Sequence, residues 1–365
     1  MRFGKKDDRV EITTKAQAKS IYNAYMKRQK TVCAIILILA VVSIITLYGF
    51  SNNTSQSYWT SYSVLSHHLF GTEAPPGKFT DFIFWDNLLP RAINAALVGG
   101  VLAIGGCVMQ IIFRNPLADP YTTGISSGAG FGATLAIAMG ISIVPGLYGD
   151  WAIVANAFIL SLVPSGAMIA VMLFRKVSPA ELILTGIGIM YFFGAATTIF
   201  MLWANPSDLA GAFKWGLGNL EAVGWDNMPI ILGATLIGST MLFILNKKLT
   251  VMNAGDRGAL TLGEEPNRVR LFSLLITSMM VAVVVAFTGT IGFVGIVSAH
   301  IVRLTMGTDI KYMMAGSFAV GALLLVASDA LAKVMSLPVG VIMSVVGGPL
   351  FLFILIKQYR KENFF

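Results

Sequence analysis

The sequence predicts an all-α integral membrane protein of about ten transmembrane helices, with both termini in the cytoplasm and one broken, re-entrant region. Three observations lead there. First, 56% of the residues are hydrophobic and 12% charged, against roughly 45–50% and about 25% in soluble domains. Second, uncharged runs recur near the length of about 20 residues that crosses a hydrocarbon core about 30 Å thick. Third, Lys and Arg gather before the first apolar run and then in every second loop, the pattern of inward-facing positive charge. That alternation requires an even number of spans.

In chain order the expected spans are about 32–50, 91–113, 121–141, 151–174, 180–204, 228–246, 271–290, 293–306, 312–334 and 338–357. Residues 1–30 are too charged for a cleavable signal and read as a cytoplasmic tail. Residues 31–358 read as one membrane domain, with an outer loop at 51–87 and an inner loop at 246–270; residues 359–365 are a second cytoplasmic tail. The outer loop is rich in Ser, Thr, Asn and Pro, which suggests partial disorder or a cap. The net charge of +8 lies at span ends, so it reads as membrane orientation and not as nucleic-acid binding. Cys33 and Cys107 lack metal-ligand spacing and read as packing residues. The pair His67 and His68 reads as solvated, with contact to a metal complex as the alternative.

The second and third spans are the most informative. Gly99, Gly100, Gly105 and Gly106, beside Ala95 and Ala96, strip bulk from a helix and let neighbouring backbones approach closely in lipid. The run Arg114-Asn115-Pro116-Leu117-Ala118-Asp119-Pro120 follows, where two prolines break the helix and Asn and Asp can bond the freed backbone groups. Such polar broken backbone is tolerated at membrane depth only when buried in protein or lining a cavity, so it should face the interior. Gly289 to Gly295, between the seventh and eighth spans, reads as a tight re-entrant turn. Asp329 in the ninth span reads as a structural hydrogen-bonding group, with a proton relay as the alternative.

No chemistry of its own is evident. There is no GxxxxGK[ST] phosphate loop; the segment from Gly71 to Phe79 has the wrong spacing and lacks the hydroxyl residue. No His, Asp, Glu or Cys constellation sits at one depth, which argues against a membrane enzyme. Neither inverted repeats nor paired intramembrane charges support a stand-alone secondary transporter, which stays as the competing class. No cofactor or metal site is expected on this chain.

Three ordered groups of residues resemble the FecCD-type permease family of ABC importers for iron siderophores, haem and cobalamin. They are Leu89-Pro90-Arg91 leading to Asn115-Pro116-Leu117-Ala118-Asp119-Pro120; Gly289 to Gly295, with Gly292 and Gly295, leading through His300 to Arg303; and Asp329 followed by Pro338-Val339-Gly340 and Gly347-Gly348-Pro349. The likeness spans about residues 85 to 358. The sequence departs from the pattern at Leu88, often arginine, Ala299, usually proline, and Ser336, commonly glutamate.

The resemblance implies the transmembrane subunit of a type II importer in a bacterial or archaeal plasma membrane. Its implied partners are a cytoplasmic ABC ATPase dimer that binds the ATP and Mg²⁺, an extracytoplasmic substrate-binding protein, and a second permease copy or paralogue. It implies that Asp256, Arg257, Ala259, Leu262 and Gly263 belong to a coupling loop of two short helices seated in the ATPase. From its residues alone that segment fits an ordinary solvated loop equally well. Charges at Asp256, Arg257, Glu264, Glu265, Arg268 and Arg270 can pair across such a polar interface. Arg91 and Lys333 align with positions that meet the binding protein, or act as snorkelling anchors. The implied path runs along the fifth and tenth spans, with Met190, Phe193, Thr197 and Met201 on its wall and Ser178, Pro179 and Ala180 at an inner gate. A Met and aromatic stripe also fits plain packing.

Overall fold

The computed structural model describes residues 82–362 apart from Lys176, together with isolated positions between 23 and 71. Most of the first expected span, His68 and most of the tails and outer loop lie outside the described residues. The described residues form twelve α-helices and no strand. Helices satisfy every backbone donor and acceptor within one segment, which is what hydrocarbon demands.

The helices are α1 (Leu89–Ile112), α2 (Ile125–Met139), α3 (Asp150–Phe174), α4 (Pro179–Leu202), α5 (Pro206–Gly216) and α6 (Met228–Ile244). They continue as α7 (Asn246–Met252), α8 (Gly255–Thr261), α9 (Pro266–Thr288), α10 (Val294–Met306), α11 (Ile310–Met335) and α12 (Val339–Glu362). A π-helical turn, Ile83–Leu88, leads into α1. Each of the nine expected segments between residues 91 and 357 coincides with one helix. Five of these helices are long and apolar enough to cross a bilayer, and α6 continues into α7 through a bend of 56°. The apolar stretches of α2, α10 and α12 are shorter.

α1 is the axis of the bundle and packs against α6, α9, α10 and α11; α2, α3, α4 and α5 form a second group joined to it chiefly through α3 and α9. The axis works because its side chains are small. A Cβ on Gly99 would strike the carbonyl of Gly321 in α11, and one on Gly106 would come within 2.5 Å of the Gly295 Cα in α10. Gly128 and Gly132 of α2 meet backbone of α3 at Leu160 and Asn156 in the same way. Lipid tails are as apolar as leucine, so close backbone packing rather than apolar burial holds such helices together.

The end of α1 explains the proline-rich break. Arg114 takes a left-handed conformation at φ 50°. Its N–H donates to Ile111 O at 3.2 Å, and Asn115 N–H to Gln110 O at 3.2 Å, which closes the helix in a Schellman motif. The Asn115 carboxamide oxygen then accepts from Leu117 N–H at 2.9 Å. Pro116 lies exposed on this turn, while Pro120 is buried and packs toward Gly105. The chain thus re-enters the bundle as non-helical backbone before α2 begins.

Candidate functional site

A cleft of about 580 Å³ lies where the re-entering backbone, α4 and α12 approach one another. Met190, Ser126, Phe293, Ile296, Val341 and Val345 are among the residues of its wall. Asp119 and Gly292 also line it. The Asp119 carboxylate is engaged locally, accepting from Thr122 N–H at 2.9 Å, while Tyr121 Oη accepts from Ile291 N–H at 2.8 Å. The second of these bonds pins the broken segment to the turn between α9 and α10.

That turn is itself locked. Gly289 sits at φ 68° and ψ −162°, a region open essentially to glycine alone, and a Cβ there would strike the Trp215 carbonyl at the end of α5. Thr290 Oγ1 donates to Gly216 O, and Asn219 N–H donates to Thr288 O at 2.7 Å. Gly340, at the start of α12, rests on the Leu217 carbonyl. Backbone segments from α5, the α9–α10 turn and α12 therefore meet without side chains between them, beside the cleft. Gly295 belongs to the α1 contact described above, not to the cleft.

Of the four path residues expected on α4, only Met190 reaches this cleft. Phe193 is 5% exposed and its ring lies 5.6 Å from Phe131 of α2, so in this chain it packs inward. The open face of α4 carries Tyr191 and Phe192 instead. Thr197 Oγ1 donates to Phe193 O at 2.7 Å, a bond within the helix, and Met201 is partly buried near the far end. At the near end Ser178, Pro179 and Ala180 form a helix start. Ser178 Oγ accepts from Glu181 N–H at 3.3 Å, and Ser178 N–H donates to Glu181 Oε2 at 2.6 Å, a complete capping box. Glu181 is a residue the sequence reading misses, although Ser-x-x-Glu is the signature of that cap.

At the end expected to face outward, Arg91 is not a free surface charge. Its Nε donates to Asp329 Oδ2 at 2.9 Å and its Nη2 to Oδ1 at 2.7 Å. Asp329 is fully buried. The pair joins α1 to α11 across 238 positions of sequence, which no local pattern reveals. Lys333 lies in the same wall, around a cleft of about 590 Å³ that also holds Asp86, Glu221 and Asp226. A hydrogen bond from Asn219 and the charge of Lys214 hold the Glu221 carboxyl below its usual range.

At the opposite end, the segment 246–270 holds the two short helices α7 and α8 and the first turn of α9. Five of the six charges named for such an interface, all but Arg257, have partners within the chain. Arg270 is buried, pairs with Asp256 within the chain, and donates from Nε to Ile112 O at 2.9 Å. That ties the loop to the end of α1. Lys248 pairs with Glu264 at 3.1 Å, and Arg268 with Glu265 at 2.6 Å. Arg257, Leu260 and Leu262, the last 65% exposed, face outward together with the exposed Glu265–Arg268 pair, while Ala259 is buried. Gly263, at φ 83°, closes α8: its N–H donates to Leu260 O and Glu264 N–H to Ala259 O.

Among the described residues no group of three or more His, Cys, Asp or Glu converges as metal ligands.

The family model of the FecCD transport family matches residues 35–357. The hemin transport system permease protein HmuU of Yersinia pestis is 34% identical over 285 residues, covering 76% of this chain and 85% of that one. The iron(3+)-hydroxamate import system permease protein FhuB of Bacillus subtilis is 30% identical over 363 residues, covering 97% and 92%. A solved structure described as an inward-facing conformation of a metal-chelate type ABC transporter superposes with a TM-score of 0.77 at 23% identity, covering 90% of this chain and 99% of that one.

Proposed function

This chain belongs to the FecCD transport family, and from that premise we propose that it is the permease subunit through which an iron(III) chelate, a siderophore or haem, reaches the cytoplasm. Relatives are named for hemin, iron(3+)-hydroxamate and cobalamin alike, so their names do not separate the iron complex from cobalamin, the second cargo in view. The observation that carries the reading is the cleft beside the α5, α9–α10 and α12 backbone junction. Its soft, mostly apolar wall suits a bulky complex that must pass without being held.

In this account the chain hydrolyses nothing. Cargo arrives from a substrate-binding protein at the Arg91 and Lys333 end, and a cytoplasmic ATPase dimer engages the α7–α8 corner. The Arg270 contacts to Asp256 and Ile112 then carry the corner's movement to α1, and through α1 to the α10 and α11 helices packed on it. A second permease copy or a paralogue completes the path along the open face of α4, with the gate at Ser178, Pro179 and Ala180. Both termini lie on the ATPase side, where the positive charge collects.

The test is reconstitution in liposomes with the cognate ATPase and binding protein, offering ferric hydroxamate, haem and cobalamin in parallel. ATP-dependent uptake of an iron complex is the expected result. Uptake of cobalamin alone would redirect the cargo assignment, and uptake without any ATPase would overturn the permease reading.

A further inference from the structure

At the end of the bundle that carries Arg270, a third cleft of about 370 Å³ opens where α1, the α7–α8 corner and the α10–α11 turn meet. Gln110, Arg114, Asn253, Arg303 and Thr308 line it, and no carboxylate does. Arg268 and Arg270, at the same end, each have an acidic partner; among the described residues Arg114 and Arg303 have none. Arg303 Nη2 donates to Gln110 Oε1 at 2.8 Å. An arginine only donates, so this bond fixes which end of the amide is oxygen. Gln110 is 4% exposed, and its Nε2 is left without a hydrogen-bond partner. The Arg114 guanidinium lies over Gly255, where a Cβ would come within 3.3 Å of Nη1.

Two guanidinium groups and an unmet amide donor thus surround an open space that no acidic side chain among the described residues lines. A partly buried cation without a counter-charge is costly, and a buried donor without an acceptor adds to that cost. Paired guanidinium forks match the oxygens of phosphate. Basic pockets between transmembrane helices on the cytoplasmic side are where anionic head groups bind.

We propose that this cleft is a binding site for a phosphate-bearing anion, supplied either as a lipid head group or as free phosphate. Bound there, the anion bridges the α7–α8 corner at Asn253 to Arg303 in the last turn of α10 and Thr308 in the α10–α11 turn. Its occupancy therefore stiffens the joint between the coupling segment and the bundle.

The test uses the full chain in non-ionic detergent, with its melting temperature followed during titration. The probes are short-chain phosphatidylglycerol, inorganic phosphate, and a diacylglycerol of the same chain length that lacks phosphate. The expected result is a saturable rise with a phosphate-bearing probe and none with diacylglycerol. Arg303→Gln and Arg114→Gln should each weaken the apparent affinity roughly tenfold or more. Lys311→Gln, an exposed basic residue at the same end, should leave it unchanged. Saturation by inorganic phosphate as well as by the lipid identifies a free-anion site; saturation by the lipid alone identifies a head-group site. No saturable response to either, an equal response to diacylglycerol, or an equal loss in Lys311→Gln overturns the proposal. Should Arg303→Gln fail to fold, Arg114→Gln on its exposed turn decides the matter.

Discussion

α1 and α4 are both 24 residues long and both apolar, yet 89% of the apolar window containing α1 is buried within the chain against 17% of that in α4. The difference teaches that hydrophobicity does not report burial in a membrane protein, because lipid and protein interior reward the same side chains. Residue size is what separates the two. α1 places glycines where other backbones touch it, whereas a Cβ added at Gly188 or Gly194 of α4 would meet nothing within 4 Å. α1 is a packed axis, and α4 presents an open face.

Substitution at matched glycines is the severest way to break this contrast. Gly106→Leu should cost about 3 kcal/mol or more through overpacking against Gly295. Gly194→Ala should instead be neutral or stabilising by about 0.5–1 kcal/mol, since alanine favours the helix and meets no neighbour. Thermal melting in detergent reads both. Equal losses would mean that α4 is packed in the monomer as tightly as α1.

Almost as large an effect is expected from the ion pair that ties the axis to α11. Asp329→Ala strands the Arg91 guanidinium and should cost about 3–5 kcal/mol, while replacing both partners with leucine should recover much of that loss. A double variant no more stable than Asp329→Ala would show that Arg91 is adequately held elsewhere.

These cases also mark what can be read from sequence. The helices are legible because their ends carry local signals: 180–204 is expected and Pro179–Leu202 is found, 293–306 is expected and Val294–Met306 is found. The glycine contacts are legible for the same reason, since small residues cluster on α1. The partner of Asp329 is not, because it lies in another helix far along the chain. Nor is the inward turn of Phe193, because both faces of α4 are apolar and carry no phase. Arg270 looks like one more inner-loop charge, and only the fold brings Asp256 and the Ile112 carbonyl to it.

A smaller effect should come from the start of α4. Ser178→Ala removes a capping box from a helix with few other contacts and should cost about 1 kcal/mol, read by melting. Protease sensitivity near residue 178 should rise with it, and unchanged sensitivity would mean the cap is redundant.

The least effect belongs to Glu221, which is exposed. Its carboxyl is held low in the folded chain by Asn219 first and Lys214 second. A lowered folded value means that its contribution is present above about pH 4.3, the unfolded value, and fades as pH falls through the folded one. Glu221→Gln should therefore lower the melting temperature slightly near neutrality and not at all in strong acid. A difference that grows toward low pH would reverse the sign.

The central claim is that the α7–α8 corner receives the force that moves cargo. Gly263 is the place to test it, because its φ of 83° suits glycine and nothing of the chain lies within 4 Å of an added Cβ. A change there alters the corner's shape without touching the bundle. The decisive measurement is uptake per ATP hydrolysed in liposomes holding Gly263→Val with its ATPase and binding protein. The expected result is continued hydrolysis with uptake lost; an unchanged ratio would contradict the account.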